Sequence, residues 1–150
     1  MGLYYLDTSA LVKLYIREPG TDHMLRLAAR TNKHNFNVLT LARVEFRSAI
    51  RRRERKGDIE GSAAARLLSQ FDQHLETKFV RQALSESLLD VASGLLDRYA
   101  LRAYDAIQLA GCLTLSAASD ADEPVFVCSD QRLIDAAKAE GLRSLDPSAA

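Results

Sequence analysis

Short β-prone runs alternate with longer segments of helical periodicity along the chain, and this alternation constrains the fold more than any other feature. It is typical of βαβ units, in which helices connect parallel strands. The predicted strands are residues 3–6, 36–39, 78–80, 124–128 and 143–145. The predicted helices are residues 9–16, 21–29, 41–55, 61–74, 85–98, 104–118 and 130–140. The sequence therefore predicts an α/β fold with a central parallel sheet.

The chain has the size and composition of one domain. It contains 150 residues, of which 47% are hydrophobic, and it has no internal repeat or linker. We expect a single domain over 1–150, with a frayed tail at 146–150. No run of eighteen apolar residues and no signal-peptide pattern is present, which predicts a cytoplasmic protein without a membrane segment. Cys112 and Cys128 lack metal-ligand spacing, so we expect them to be reduced and buried.

Positive charge is concentrated in one predicted helix. The formal net charge is zero, which argues against binding of nucleic acid by overall potential alone. Residues 43–56, however, hold seven Arg or Lys against two Glu. At 100° per residue, Arg52 lies on the same side as Glu45, whereas a stripe of arginines turns away from it. The residues of that stripe are Arg43, Arg47, Arg51 and Arg55.

Acidic residues follow or flank the predicted strands in four places: Asp7, Glu45, Asp105 and Asp130. The C-terminal ends of parallel strands share one edge of a sheet, so these residues are expected to converge there. Converging carboxylates repel each other and raise one another's pKa unless a divalent cation neutralises them. Oxygen ligands without Cys or His favour Mg²⁺ or Mn²⁺. The pattern therefore predicts a metal site.

Each of these residues also has an ordinary structural explanation. Taken singly, Asp7, Asp105 and Asp130 read as helix caps or first-turn acids, and Glu45 as a solvated helix residue. Two serines adjoin the acids. Ser9 and Ser129 are candidates to donate hydrogen bonds to the carboxylates or to metal-bound water, and helix capping explains both equally well.

Four segments together resemble a known family. LDTSALVKLYIREPG, TLARVEFRSAI, RAYDAIQLAGCL and VFVCSDQRLIDAAKAEGL are similar, in order and spacing, to the motifs of PIN-domain proteins, and more narrowly to those of VapC-type toxin ribonucleases. The resemblance covers nearly the whole chain. It implies a three-layer α/β/α fold, with the four acids binding Mg²⁺ or Mn²⁺, and no position of the four departs from the family pattern.

The resemblance also implies an activity and partners. The expected reaction is hydrolysis of RNA phosphodiester bonds by metal-activated water, without a His base or Ser nucleophile. Arg52 and Lys13 are candidates for RNA contact, and the arginine stripe is either a solvated face, a partner contact or a distal RNA contact. A cognate antitoxin is expected to block the acidic pocket with a basic side chain. A homodimer is also implied.

Two other classes of function compete with the nuclease hypothesis. The first is a catalytically silent PIN-like module that binds RNA or protein, which would have no reason to keep a self-repelling acidic cluster. The second is a phosphoryl-accepting signalling domain, which requires an early acidic pair and a phosphorylatable Asp after the middle strand. Here Asp7 has no acidic neighbour and Glu45 lies inside a helix, so the sequence favours the nuclease.

Overall fold

The computed structural model describes residues 2–30, 34–120 and 122–149, and within these ranges it contains five strands and seven α-helices. The strands are Gly2–Leu6 (β1), His34–Leu39 (β2), Val80–Gln82 (β3), Val125–Val127 (β4) and Arg143–Leu145 (β5). The helices are Thr8–Val12 (α1), Thr21–Ala28 (α2), Ala42–Arg55 (α3), Gly61–Thr77 (α4), Glu86–Arg98 (α5), Ala103–Ala118 (α6) and Gln131–Ala139 (α7). None of the helices in these ranges combines the length and apolar character needed to cross a membrane.

The strands form one sheet in the order β3-β2-β1-β4-β5, and every neighbouring pair is parallel. Strand β1 lies at the centre, where Tyr5 pairs with Asn37 of β2 and Leu6 pairs with Val127 of β4. Because all strands run the same way, β1, β2 and β4 end along one edge of the sheet. Ligand sites in open α/β sheets lie at this edge.

Two hydrophobic cores cover the two faces of the sheet. Successive side chains of a strand point to opposite faces, so Tyr5 packs in one core and Leu6 in the other. The core around Tyr5 is completed by α5, α6 and α7, and the core around Leu6 by α1, α2, α3 and α4. This arrangement confirms the predicted three-layer α/β/α fold with a central parallel sheet.

Aromatic packing fixes the orientation of α3. Phe46 is fully buried, and its ring stacks on Phe71 of α4 with centroids 4.0 Å apart. The ring of Tyr15 meets Phe46 edge-on at 5.0 Å. Such contacts hold a helix against rotation about its axis. The adjacent residue, Glu45, is therefore held in a defined position in the first turn of α3.

The chain end differs from its prediction. Residues Pro147–Ala149 form a 3₁₀ turn rather than a frayed tail, and Pro147 is buried. Ser148 donates from its backbone N–H and its hydroxyl to Asp146 Oδ1, at 2.9 and 2.6 Å. The tail thus gains packing and capping bonds that composition alone does not reveal. The last position, Ala150, lies outside the described residues.

Candidate active site

Asp7 directly follows β1 and is built into the fold by its backbone and its side chain. Its N–H donates to Val127 O of β4 at 3.1 Å. Its side chain caps α1, with Oδ1 accepting from Ser9 Oγ at 2.7 Å and from the N–H of Ala10 at 2.9 Å. Only 5% of Asp7 is exposed. The cap reading of Asp7 is thus correct, and so is the expected contact of Ser9 with this carboxylate.

Burial makes the Asp7 carboxylate costly to ionise. It raises the pKa of Asp7 from 3.8 to about 6, against the opposing effect of hydrogen bonds from Ser9, Ala10 and the Cys128 thiol. The negative charge of Glu45 raises this pKa further. A cation near Asp7 would reverse these effects, because it favours the charged carboxylate.

Glu45 is held by two donors from other helices. Its Oε1 accepts from Thr8 Oγ1 of α1 at 2.9 Å and from Gln108 Nε2 of α6 at 2.6 Å. Glu45 is half-buried, and it is therefore not the solvated helix residue that its sequence context alone suggests. Thr8 links the two acids, since it follows Asp7 in the chain and donates to Glu45.

Behind Glu45 lies a buried polar chain that the sequence analysis missed. Gln108 is 3% exposed, and its Oε1 accepts from the hydroxyl of the fully buried Tyr5 at 2.7 Å. The signal for Gln108 is visible in the sequence, since it is a polar residue inside the apolar run AIQLAGCL. The roles of Tyr5 and Thr8 depend on contacts between distant segments, and no local pattern reveals them.

Asp105 and Asp130 form a second, more open pair. Asp130 is exposed and caps α7, with Oδ1 accepting from the N–H groups of Arg132 at 3.0 Å and Leu133 at 3.3 Å. Asp105 is half-buried in the first turn of α6, and burial raises its pKa. The charge of Asp130 raises that pKa as well, whereas Arg102 lowers it. Both acids line a cleft of about 600 Å³.

The four acids therefore occupy the predicted edge as two pairs. Among the described residues, no three or more His, Cys, Asp or Glu side chains are arranged to hold a metal ion together. The donor chemistry still suits a hard cation, because every candidate ligand is an oxygen. Mg²⁺ is commonly held by only one or two protein carboxylates and keeps several waters. Asp7 and Glu45 meet that requirement.

A cleft of about 500 Å³ opens beside Glu45. Its walls come from α1 and the following loop, from α3 and from the start of α6. They include Thr8, Ser9, Glu18, Glu45, Ser48, Arg52, Arg53 and Tyr104. Arg52 is exposed and shares this cleft with Glu45, as its helical position predicts. The four residues of the arginine stripe instead line a separate groove between α3 and α4.

Two residues predicted to support the site are placed differently. Lys13 is only 6% exposed, and its Nζ forms an ion pair with Glu18 Oε1 at 2.9 Å, so it is not a free cation facing the cleft. Ser129 contacts the site through its backbone, whose N–H donates to Ser9 Oγ at 3.2 Å. Among the described hydrogen bonds, its hydroxyl makes none to the four acids.

Comparisons with known proteins match nearly the whole chain. The family model described as PIN domain matches residues 4–139. The chain is 37% identical to Ribonuclease VapC46 of Mycobacterium tuberculosis (strain ATCC 25618 / H37Rv) over 148 residues, covering 99% of this chain and 100% of that protein.

Solved structures share the fold. The VapBC2 structure from Rickettsia felis, bound to a DNA fragment from its promoter, aligns with a TM-score of 0.66 and 11% identity over 95% of this chain and 97% of that one. PAE2754 from Pyrobaculum aerophilum aligns with a TM-score of 0.62 and 23% identity over 95% of this chain and 89% of that one.

Proposed function

The chain belongs to the PIN domain family, and we propose that it is a metal-dependent endoribonuclease that acts as the toxin of a type II toxin–antitoxin pair. The observation that carries the proposal is the buried Asp7 carboxylate beside Glu45. Placing a half-buried carboxylate where its charge acts on a buried one is unfavourable unless a cation joins them. Similarity to a ribonuclease along nearly the whole chain agrees with this reading.

Asp7 and Glu45 are the residues that we propose hold Mg²⁺ or Mn²⁺, while Asp105 and Asp130 complete the acidic edge. The ion would activate water and neutralise charge on phosphate oxygens. The chain supplies orientation: Ser9 and the N–H of Ala10 fix Asp7, and Thr8 fixes Glu45. Hydrogen bonds of this kind set the direction of carboxylate oxygens before a ligand arrives.

RNA is the proposed substrate. With a net charge of zero, the protein must attract phosphate locally, and Arg52 and Arg53 supply positive charge in the same cleft as Glu45. Arg53 is partly neutralised, because it pairs with Glu18 Oε2 at 3.0 Å. Arg52 is the better candidate for a phosphate of a single-stranded or looped RNA.

A cognate antitoxin is the proposed regulatory partner. The structure from Rickettsia felis contains VapBC2 with promoter DNA, and its fold matches this chain. An antitoxin that inserts a basic side chain between the acids would form a charge-assisted hydrogen bond and exclude the cation. A homodimer is also proposed, in line with the family resemblance.

RNA cleavage in three solutions tests the proposed function. Wild-type protein and Asp7→Asn are compared in Mg²⁺, Mn²⁺ and EDTA, with Asp90→Asn as the control because Asp90 is an exposed carboxylate on α5. We expect cleavage by wild type and by the control with either metal, and none by Asp7→Asn or in EDTA. Equal cleavage by Asp7→Asn and wild type, or cleavage that persists in EDTA, would contradict the proposal.

A further inference from the structure

We propose that Gln108 is a positioning residue whose side-chain amide, anchored by Tyr5, directs the Glu45 carboxylate toward a bound cation. This inference rests on the proposed metal-dependent function and extends it to residues that do not touch the ion. It assigns a task to a buried polar chain that otherwise has none in the fold.

The environment of Gln108 makes its amide unusual. Its neighbours on α6, Ala106, Leu109 and Ala110, are fully buried in the core. A buried amide destabilises a protein unless its hydrogen bonds are made. In Gln108 they are made at both ends, to the Tyr5 hydroxyl at 2.7 Å and to Glu45 at 2.6 Å. The amide thus connects the centre of the sheet to the acidic edge.

The direction of the amide follows from its partners. In the observed orientation Nε2 donates to the Glu45 carboxylate and Oε1 accepts from Tyr5. A flipped amide would place its carbonyl oxygen against the carboxylate, so that two acceptors would face each other. The observed orientation is therefore the one in which Gln108 donates a hydrogen bond to the carboxylate.

Both donors to Glu45 contact the same oxygen. Thr8 Oγ1 and Gln108 Nε2 donate to Oε1, and Oε2 has no hydrogen bond among those described. The carboxylate is consequently fixed by one oxygen and has the other available for a cation. Removing the Gln108 donor would leave Thr8 as the one side chain of the described set that donates to Glu45.

Tyr5 is itself rigidly placed. It lies in the central strand with no exposed surface, and its ring stacks on Phe126 of β4 with centroids 5.9 Å apart. Gly111 makes room for it on α6, because a Cβ at that position would collide with the Tyr5 hydroxyl. An anchor held this firmly transmits its position to Gln108, and so to Glu45.

Gln82 offers a matched control for a purely structural role. Its Nε2 also donates to α6, to Gly111 O and to Thr114 Oγ1, both at 2.8 Å. It has no described contact with the four acids. Gln82 lies at the end of β3, so replacing it removes a glutamine amide that contacts the same helix without touching the proposed chain of contacts.

The test measures Mn²⁺ binding by isothermal titration calorimetry on the full-length protein, together with thermal unfolding in EDTA. Gln108→Met, Tyr5→Phe, their double variant and Gln82→Met are compared with wild type. For Gln108→Met we expect Mn²⁺ affinity to fall roughly 10- to 100-fold, the usual range for loss of a residue that orients a metal ligand. Tyr5→Phe should show a smaller loss, and Gln82→Met none.

The double variant examines the order of the contacts. If Tyr5 acts through Gln108, the double variant will bind Mn²⁺ no more weakly than Gln108→Met alone, because the two substitutions remove one shared effect. Equal stability losses in Gln108→Met and Gln82→Met, with Mn²⁺ affinity reduced in Gln108→Met and unchanged in Gln82→Met, would support a positioning role over a purely structural one. If Gln108→Met does not fold, the Mn²⁺ affinity of Tyr5→Phe tests the inference instead.

Three results would overturn the inference, and they distinguish its failure from failure of the proposed function. Unchanged Mn²⁺ affinity in both Gln108→Met and Tyr5→Phe, with tight binding by wild type, would refute the positioning role and leave the metal-dependent function standing. Absence of Mn²⁺ binding by wild type would refute both. Equal weakening in Gln82→Met would assign the effect to general loosening of α6.

Discussion

Two pairs of acidic side chains lie at the same edge of the sheet, but the protein holds them differently. Asp7 and Glu45 are buried or half-buried and accept hydrogen bonds from α1 and α6. Asp130 is exposed and caps α7. The side chain of Asp105 accepts no hydrogen bond among those described. The first pair is thus organised by the fold, and the second is open to solvent and to partners.

The difference suggests a division of labour between the pairs. Preorganised carboxylates bind a cation with little rearrangement, which suits Asp7 and Glu45. Asp105 and Asp130 instead share their cleft with Arg102 and Arg132. A cleft with both acidic and basic side chains suits contact with an RNA strand or a protein partner better than permanent binding of a metal ion.

The largest expected difference concerns RNA cleavage. Glu45→Gln keeps an oxygen that can accept from Thr8 and Gln108 but removes the charge. We expect it to reduce the cleavage rate by about 10²- to 10³-fold, the usual effect of losing one preorganised electrostatic contact. For Asp130→Asn we expect a reduction of no more than about tenfold, or about 1.4 kcal/mol.

The two variants are matched in another respect. Asn caps a helix as well as Asp does, so Asp130→Asn should leave the start of α7 intact. Rates measured on the same RNA in Mg²⁺ provide the comparison. Equal losses in both variants would show that the four acids act as one set and that the two-pair description is wrong.

Most of the fold and part of the site could be predicted from sequence. Periodicity distinguishes strands from helices, and the alternation of the two predicts the layers of the fold. The end of the first apolar run predicts that Asp7 follows β1. Sharing a sheet edge does not mean sharing one ion, however, and the sequence alone does not distinguish one cluster of four acids from two pairs.

What the sequence did not reveal has two physical causes, a turn of the backbone after α1 and contact between distant segments. Lys13 is a candidate for RNA contact by its sequence position, but α1 ends at Val12 and the chain turns so that Lys13 forms an ion pair with Glu18. Gln108 and Tyr5 are 103 residues apart, and their hydrogen bond is invisible to local patterns. The partners of a buried amide depend on such tertiary contacts.

The next largest expected effect is on the free energy of unfolding of the metal-free protein. The folded pKa of Asp7, about 6, lies above its ordinary value of 3.8, so its ionisation opposes folding. The contribution of Asp7 to stability is greatest below about pH 4 and is lost as pH rises through about 6, by up to about 3 kcal/mol. In EDTA at pH 8 we therefore expect Asp7→Asn to be more stable than wild type.

Thermal unfolding at several pH values checks this expectation. Asn retains an oxygen that accepts from Ser9 and Ala10, so the cap should survive in Asp7→Asn. The stability advantage of Asp7→Asn over wild type should shrink toward pH 4. Asp130→Asn should show no comparable advantage at pH 8. A metal-free Asp7→Asn that is less stable than wild type at pH 8 would indicate that the ionised carboxylate is stabilised by the fold itself.

A smaller effect is expected at the cleft beside the first pair. Arg52→Ala should raise KM for RNA by up to about fivefold and leave kcat unchanged, because an exposed ionic contact is worth at most about 1 kcal/mol. Arg47→Ala is the control, since Arg47 lies on α3 but lines the other groove. Steady-state kinetics at two salt concentrations would test this. A larger effect for Arg47 would place the RNA in the groove between α3 and α4.

The smallest effects, and the most specific, are shifts in the titration of the acids themselves. The charge of Glu45 raises the pKa of Asp7, and the charge of Asp130 raises the pKa of Asp105. In metal-free protein, Glu45→Gln should lower the pKa of Asp7 without moving that of Asp105. Asp130→Asn should lower the pKa of Asp105 without moving that of Asp7. Carbon-13 NMR of the side-chain carboxyls reports both pKa values. If either substitution shifted the pKa of the acid in the other pair as strongly as the pKa of its own partner, the charges of the two pairs would be coupled along the sheet edge. The apparent pKa values would then belong to a cluster of four, as the sequence alone suggested.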